Sequence, residues 1–260
     1  MIRLENIYLM LGDNPVLKDI SFQVKKGETL AVLGASGSGK TTVLRVILGL
    51  YKPDSGKVFV AGEELTGLDD DRLYRVRGDM GMVFQGGALF DSLTVGENVA
   101  YRIMERGGYD DETLEQRVLR SLRFVGLEDA IDMMPAELSG GMKKRAAIAR
   151  GIVAEPKIML YDEPSAGLDP LNAYKIRELI NRLRTELGVA SVVVTHDIPL
   201  ALSVATKAAF IDEGRLAYVG DKDGLLASAD ERVRDFLDHS GYLNRRSAAQ
   251  AAGGTGEVQR

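Results

Sequence analysis

The chain has 260 residues, of which 45% are hydrophobic and 27% are charged, and its formal net charge is −5. The length and the mixture are those of a globular protein with a sizeable core, and the negative charge argues against nucleic acid as a partner. The absence of cysteine excludes disulfides and thiolate metal sites. No run of eighteen apolar residues occurs, so we expect that the chain itself does not span a membrane.

Short β-rich runs separated by turn residues fill the first sixty positions. Lys26-Gly27 and the segment 52–56 supply the turns, because glycine and proline interrupt regular structure. A further short strand is predicted just before Gln85, at "MGMVF". The earlier predicted strands are "SFQV" (21–24), "TLAVLG" (29–34) and "KVFVAG" (57–62).

The pattern changes from strand to helix at about Leu93. Apolar residues then recur at helical spacing in two segments, the first of which is stopped by Gly126. We therefore predict a helical subdomain over roughly residues 93–155, inserted into a sheet domain. The apolar faces consist of Leu114, Val118, Leu122 and Val125 in the first helix and of Met142, Ala146, Ala149 and Val153 in the second.

Strands and helices alternate after the helical segment. Residues 156–164 and 190–196 form apolar runs that are short enough for buried parallel strands. Asp169 and Pro170 start the helix between them, since aspartate caps a helix and proline suits its first position. Strands alternating with helices predict an α/β fold whose sheet is covered on both faces.

The C-terminal part begins with a hairpin predicted around Glu213-Gly214 and ends in a polar segment. Residues 1–240 are predicted to form the folded domain. Residues 241–260 are polar and rich in alanine and glycine, and we expect them to form a disordered tail.

The segment "GASGSGKTT" (34–42) gives the strongest chemical signal. It fits the phosphate-loop pattern G-x-x-x-x-G-K-[ST], and it has the required strand before it and helix after it. Glycines let successive N–H groups converge on phosphate oxygens, Lys40 reaches the outer phosphates, and Thr41 holds Mg²⁺. An ordinary glycine-rich turn is the alternative, which both flanks disfavour. The predicted nucleotide ligands are Gly34, Ser36, Gly37, Ser38, Gly39, Lys40, Thr41 and Thr42.

Asp162 and Glu163 end a predicted buried strand, where the ligands of open α/β sheets bind. Asp162 is a candidate Mg²⁺ ligand, and Glu163 a candidate base that orients the attacking water. His196 is a candidate for the γ-phosphate and Gln85 for the metal or the water. The plain alternatives are a solvated strand edge for Asp162 and Glu163, a structural role for His196, and an ordinary loop position for Gln85. The phosphate loop favours the functional interpretation.

A second glycine turn, "ELSGGMKKRAAIARGI" (137–152), opens a helix much later in the chain. Lys143, Lys144 and Arg145 lie in its first turns, where cations oppose the helix dipole. This placement makes sense if an outside anion binds the free N–H groups of the turn. The basic run itself is interpreted as a solvated face in preference to a functional group.

These motifs stand in the order found in ATP-binding-cassette (ABC) ATPases. The phosphate loop, Gln85, "LSGGM", "YDEPSAGLDP" and "VVVTHD" support the resemblance, which covers residues 1 to about 240. It implies a P-loop NTPase core with an N-terminal antiparallel β subdomain and an inserted helical subdomain. It also implies a head-to-tail dimer of two copies that hydrolyses ATP with Mg²⁺.

The same resemblance implies roles for single residues. Glu163 positions the water, His196 holds the γ-phosphate, and Gln85 joins Thr41 and Asp162 at the metal. Neither half-site is complete in one subunit, so closure of the dimer is expected to gate hydrolysis. The residues implied to face the ATP of the partner are Ser139, Gly140, Gly141 and Asp169.

Two positions depart from the family pattern. Met142 stands where the family usually has glutamine after "LSGG". Leu11 stands before Gly12, where many members place an aromatic residue against adenine, and Tyr8 lies three residues earlier. We therefore expect loose selectivity for the base.

A finer resemblance is to the ATPase subunits of the Mla/Mce lipid-transport systems. It implies a membrane permease of the MlaE type, an Mce-domain protein, and in some systems a STAS-domain subunit. It places the chain at the cytoplasmic face of the inner membrane and implies phospholipid or another hydrophobic cargo. The segments that support it are "GMVFQGGALFDSLTVGENVAYRI", "LSGGMKKRAAIARGI" and "ERVRDFLDHSG".

Several alternatives stay open at this point. Another cargo, or a signalling role without cargo, is compatible with the same motifs. An ATPase acting on nucleic acid is disfavoured because the chain has one phosphate loop, no sustained heptads and negative charge. Leu89 and Phe90 form either an apolar docking surface or part of the core.

Overall fold

A computed structural model of the protein describes residues 1–107, 110–240 and 242. Within these residues the strands form a four-stranded and a six-stranded sheet. The strands are β1 (Ile2–Leu11), β2 (Asn14–Val24), β3 (Thr29–Leu33), β4 (Ser55–Val60), β5 (Glu63–Glu64), β6 (Met80–Val83), β7 (Ile158–Asp162), β8 (Ala190–Thr195), β9 (Lys207–Asp212) and β10 (Arg215–Gly220). The helices are α1 (Lys40–Ile47), α2 (Asp70–Gly78), α3 (Val95–Arg106), α4 (Asp111–Val125), α5 (Gly140–Ile152), α6 (Pro170–Leu187), α7 (Ile198–Val204), α8 (Lys222–Leu226) and α9 (Glu231–His239).

The six-stranded sheet, in the order β10-β9-β3-β8-β7-β6, forms the centre of the fold. All its neighbouring pairs are parallel except the β9–β10 hairpin. Every residue of β3, β7 and β8 is buried, as expected for strands covered by helices on both faces. The register places Leu33 beside Thr195, and Asp162 beside Val194. The carboxyl ends of these three strands therefore lie side by side.

The N-terminal sheet, in the order β2-β1-β4-β5, is antiparallel. Alternate residues of β1 are buried, among them Ile2 and Leu4, which is the pattern of a sheet with one solvated face. The buried face shares one hydrophobic core with Leu44 of α1 and Val192 of β8. This packing brings the edge of the N-terminal sheet next to the loop between β3 and α1.

The helices between β6 and β7 pack on one another, and α5 also packs on β6. Thr94 starts α3 with a reciprocal capping box, and Asp110 caps α4. Gly126 ends α4 in the left-handed conformation, as the sequence predicted. The boundaries 93–155 and 1–240 stay predictions. The predicted tail, 241–260, lies outside the described residues apart from Tyr242, which packs against the core under α9.

The predicted α/β class is confirmed, and so are the predicted strands, the two helices of the helical segment and the hairpin at Glu213-Gly214. Four short helices, α2 and α7 to α9, were not predicted. Helix α2 is polar, and its buried face consists of little more than Val76, so its apolar residues show only weak helical periodicity. Asp69 caps the start of this helix. No helix in the described part of the chain is long and apolar enough to cross a bilayer.

Candidate functional site

The phosphate loop, residues 34–39, connects β3 to α1. Gly34 has φ 156°, and a Cβ built there meets the carbonyl oxygen of Ile211 at 2.2 Å, so only glycine fits. Gly39 has φ 106° and precedes α1, and no side chain in the described part of the chain caps this helix. The first N–H groups of α1 are therefore free to bind an anion.

The turn of the β9–β10 hairpin is hydrogen-bonded to this loop. Gly214, between β9 and β10, donates its N–H to the carbonyl of Ser38 at 3.1 Å and accepts from the N–H of Lys18 at 2.7 Å. A Cβ on Gly214 would lie 2.3 Å from the carbonyl oxygen of Val16. The loop is thus joined to both sheets through one turn.

Lys40 lies inside the loop with 7% of its surface exposed. Its Nζ donates to the carbonyls of Gly34 at 2.9 Å and Ala35 at 2.8 Å. Burial lowers the pKa of Lys40, while Glu163 and Asp162 oppose that change. A buried ammonium group beside free N–H groups fits the phosphates of a nucleotide.

Thr41 and Asp162 meet across the gap between α1 and β7. The Thr41 hydroxyl donates to both carboxylate oxygens of Asp162, at 3.1 and 3.2 Å. Burial raises the pKa of Asp162, and the hydrogen bond from Thr41 counteracts it. A hydroxyl and a carboxylate are hard oxygen donors, so this pair fits Mg²⁺. The Gln85 side chain is exposed and makes no hydrogen bond to either residue within the described part of the chain.

Glu163 follows β7 with φ 45°, a left-handed conformation that is uncommon for a residue other than glycine. Its N–H donates to the carbonyl of Val194 at 2.9 Å. One carboxylate oxygen accepts from the Thr195 hydroxyl at 2.9 Å, and the other lies 2.9 Å from Nδ1 of His196. The carboxylate is nearly buried, whereas the side chain of His196 is 61% exposed. The structure thus brings both predicted residues together at the strand ends.

The second glycine turn packs on the start of α6. Ser139 caps α5 by accepting from the N–H of Met142 at 3.3 Å. A Cβ on Gly141 would lie 2.5 Å from the Asn172 amide, so the turn and α6 are in close contact. Asp169 caps α6 and also accepts from the Asn172 amide at 2.5 Å. Asn172 therefore lies between Gly141 of the turn and Asp169.

The prediction of a solvated basic face on α5 was wrong. Lys144 is 5% exposed, and Arg145 donates to the carbonyls of Val125 at 2.9 Å and Gly126 at 2.8 Å. The reason is that α5 packs on α3, α4 and β6 at once, which leaves little free surface. A signal was present, because Lys144 lies four residues before the buried Ile148.

An exposed aromatic groove lies on the other side of α3, lined by Phe84, Phe90 and Tyr101. The Phe90 and Tyr101 rings are 4.7 Å apart. Leu89 instead packs against the core. Of the two residues considered for docking, Phe90 therefore lines the groove, and Leu89 is partly buried against the core.

Comparison with known proteins decides the family. Residues 17–166 match the ABC transporter family. The chain belongs to that family. It is an ABC cassette that binds and hydrolyses ATP, and the predicted P-loop fold with its ABC resemblance is confirmed.

The cassette is 40% identical over 238 residues to the Escherichia coli intermembrane phospholipid transport system ATP-binding protein MlaF, covering 92% of this chain and 88% of that protein. It is 42% identical over 202 residues to the methionine import ATP-binding protein MetN of Carboxydothermus hydrogenoformans, covering 78% and 60%. Among solved structures, it matches the dimeric ATP-binding cassette MJ0796 bound to ADP and Pi, with TM-score 0.78, 35% identity, and coverage of 85% and 98%. The predicted likeness to Mla-type ATPases is confirmed by the first of these.

Proposed function

We propose that this ABC cassette powers the movement of phospholipid, or of another hydrophobic molecule, across or between the membranes of a bacterial envelope. The supporting observation is the 40% identity to MlaF, which extends over nearly the whole of both chains. The proposed catalytic residues do not by themselves favour lipid as the cargo, because the chain also matches MetN, a methionine import ATP-binding protein. An Mla-type system is favoured because the match covers 88% of MlaF, whereas the MetN matches cover 60% to 76% of those proteins.

In the proposed reaction, water attacks the γ-phosphorus of ATP while the bond from that phosphorus to the bridging oxygen breaks, which gives ADP and inorganic phosphate. Lys40 and the first N–H groups of α1 bind the phosphates. Thr41 and Asp162 would hold Mg²⁺, which supplies positive charge against the charge that develops on the phosphate. Glu163 orients the water and takes up its proton, and His196 moves from Glu163 to the γ-phosphate.

Each site is proposed to be completed by a second copy of the chain. Ser139, Gly140 and Gly141 would then face the ATP of the partner, with N–H groups at the start of α5. Asp169 would join the two sites, since Asn172 ties it to the same turn. Gln85 would complete the metal site only when the nucleotide draws its exposed side chain inward.

The permease is proposed to dock on the aromatic groove. Exposed aromatic side chains on a surface of this kind are typical of protein contacts. Phe84, Phe90 and Tyr101 are each more than 40% exposed. We propose an MlaE-like permease as the occupant, with Mce-domain and STAS-domain subunits in the same complex, at the cytoplasmic face of the inner membrane.

The test is a gentle purification of the tagged chain from native membranes, with mass spectrometry of the proteins and lipids that come with it. An MlaE-like permease together with an Mce-domain protein and enriched phospholipid is the expected result. Phe90→Ala should lose the permease, whereas Leu50→Ala, an exposed apolar control elsewhere, should keep it. A solute permease without lipid enrichment would overturn the lipid proposal and favour a MetN-like role.

A further inference from the structure

Lys144 is a buried cation that the reaction described above does not use. Its Nζ donates to the backbone carbonyl of Gln85 and, at 3.2 Å, to the backbone carbonyl of Glu163. It sits on α5, two residues after Met142 and five after Ser139. One helix therefore begins at the second glycine turn and then contacts the backbone of two residues of its own subunit's nucleotide site.

The contact with Glu163 falls on a strained part of the chain. The left-handed φ of Glu163 needs support from its surroundings, because a residue with a side chain rarely adopts it. The support comes from both ends of the residue. Its N–H is held by Val194, and its carbonyl accepts from Lys144 and from the N–H of Ala166 at 3.2 Å. Removing the ammonium group takes away the only side chain among these partners.

The ammonium group of Lys144 is buried, and a buried charge needs compensating partners. Desolvating an ammonium group is costly unless acceptors and opposite charges surround it. Lys144 has both, since two carbonyls accept from it and the carboxylates of Asp162 and Glu163 attract it. An apolar side chain of the same length would leave the backbone carbonyls of Gln85 and Glu163 with one hydrogen-bond donor fewer each. The site is thus built for a cation.

We propose that Lys144 is a positioning residue for ATP hydrolysis, which holds the backbones of Glu163 and Gln85 against α5 and so aligns the Glu163 carboxylate. It touches neither the nucleotide nor the water. Any shift of α5 relative to β7 would move Glu163 through this lysine, so the helical segment and the carboxylate respond together. The inference rests on the proposed role of Glu163 as the group that orients the water.

The experiment compares Lys144→Met with Lys144→Arg in the full chain, with Lys157→Met as the control. Lys157 is exposed at the other end of β7, where it pairs with Asp79. Since small misplacements of a catalytic group are costly, Lys144→Met should lower kcat roughly 10- to 100-fold. The Kd for ATP, measured with a fluorescent analogue without Mg²⁺, should stay within about threefold, because the phosphate loop is intact. Lys144→Arg should recover most of kcat.

A combined variant separates positioning from a general loss of structure. If Lys144 acts through Glu163, then Lys144→Met should cost little further activity in the Glu163→Gln background. Equal losses in both backgrounds, or a loss confined to ATP binding, would overturn the inference. If Lys144→Met does not fold, Lys144→Gln replaces it, with the same kcat loss expected at unchanged Kd. Near-normal turnover of Glu163→Gln alone would instead overturn the role of Glu163.

Discussion

Nδ1 of His196 lies 2.9 Å from Oε1 of Glu163, across the ends of two adjacent parallel strands. The pairing exists because β7 and β8 are neighbours in register, although the two residues are 33 positions apart in sequence. Each side chain thereby orients the other at the strand ends. The histidine side chain is the exposed member of the pair, so it is the one that can turn toward a phosphate.

Glu163→Gln should bind ATP and hydrolyse it about 100-fold or more slowly, because an amide cannot take up the proton of the attacking water. The variant should also accumulate as a dimer in ATP, visible by gel filtration with light scattering. Glu186→Gln is the matched control, since Glu186 lies on the surface of α6, where it pairs with Arg182. Turnover close to that of the unmodified chain would show that another group orients the water.

Ser139→Arg should abolish hydrolysis while ATP still binds to the phosphate loop. The reason is that the large cation blocks the turn proposed to face the ATP of the partner, whereas Lys40 is untouched. Ser139→Ala is the comparison, because it removes the same hydroxyl and the cap of α5 without adding bulk, and it should cost about 1 kcal/mol of stability. Equilibrium binding of a fluorescent ATP analogue and phosphate release are the two measurements. Loss of ATP binding in the arginine variant would contradict the placement in trans.

Thr41→Val should raise the Mg²⁺ concentration needed for half-maximal hydrolysis, since it keeps the shape of the side chain and removes a hydroxyl ligand. The measurement is phosphate release over a Mg²⁺ titration at saturating ATP. Thr66→Val serves as the control, because the Thr66 hydroxyl donates to Glu64 at a turn outside the nucleotide site. An unchanged titration curve would exclude Thr41 as a metal ligand.

Gly81→Ala should destabilise the fold by about 1–3 kcal/mol through overpacking. The added Cβ would lie 2.2 Å from Sδ of Met159 and 2.6 Å from the carbonyl oxygen of Gly151. Urea unfolding followed by circular dichroism gives the free energy of unfolding. Gly67→Ala is the control, because its Cβ would meet no atom of the described residues within 4 Å. Equal stability of the two variants would show that β6 and α5 can move apart at little cost.

Much of the site was predictable because its residues lie in local patterns. The phosphate loop is a contiguous motif, and Asp162 and Glu163 end an apolar run whose length identifies a buried strand. Since carboxyl ends of parallel strands meet at one edge, their proximity to Lys40 follows from the pattern. The contact between His196 and Glu163 required the order of the strands, which local patterns do not specify.

The burial of Lys144 shows where local reasoning failed. Lysine is almost never fully buried unless it is paired, so a run of three basic residues suggests a solvated surface. The partners that bury it are backbone carbonyls 59 and 19 residues away, and a carbonyl has no signature in a sequence. The polar helix α2 was missed for a related reason, because its short buried face depends on the packing around Val76.

The turn at Gly214 has a consequence for how a nucleotide associates with the protein. Because this turn fastens the loop at Ser38 to the strand carrying Lys18, hydrogen bonds within the chain itself maintain the shape of the loop. Little chain entropy is then lost on association, and encounter with the phosphates needs no folding step. Association should accordingly be rapid and limited by diffusion and orientation, and the lifetime of the complex, rather than its rate of formation, should distinguish one nucleotide from another.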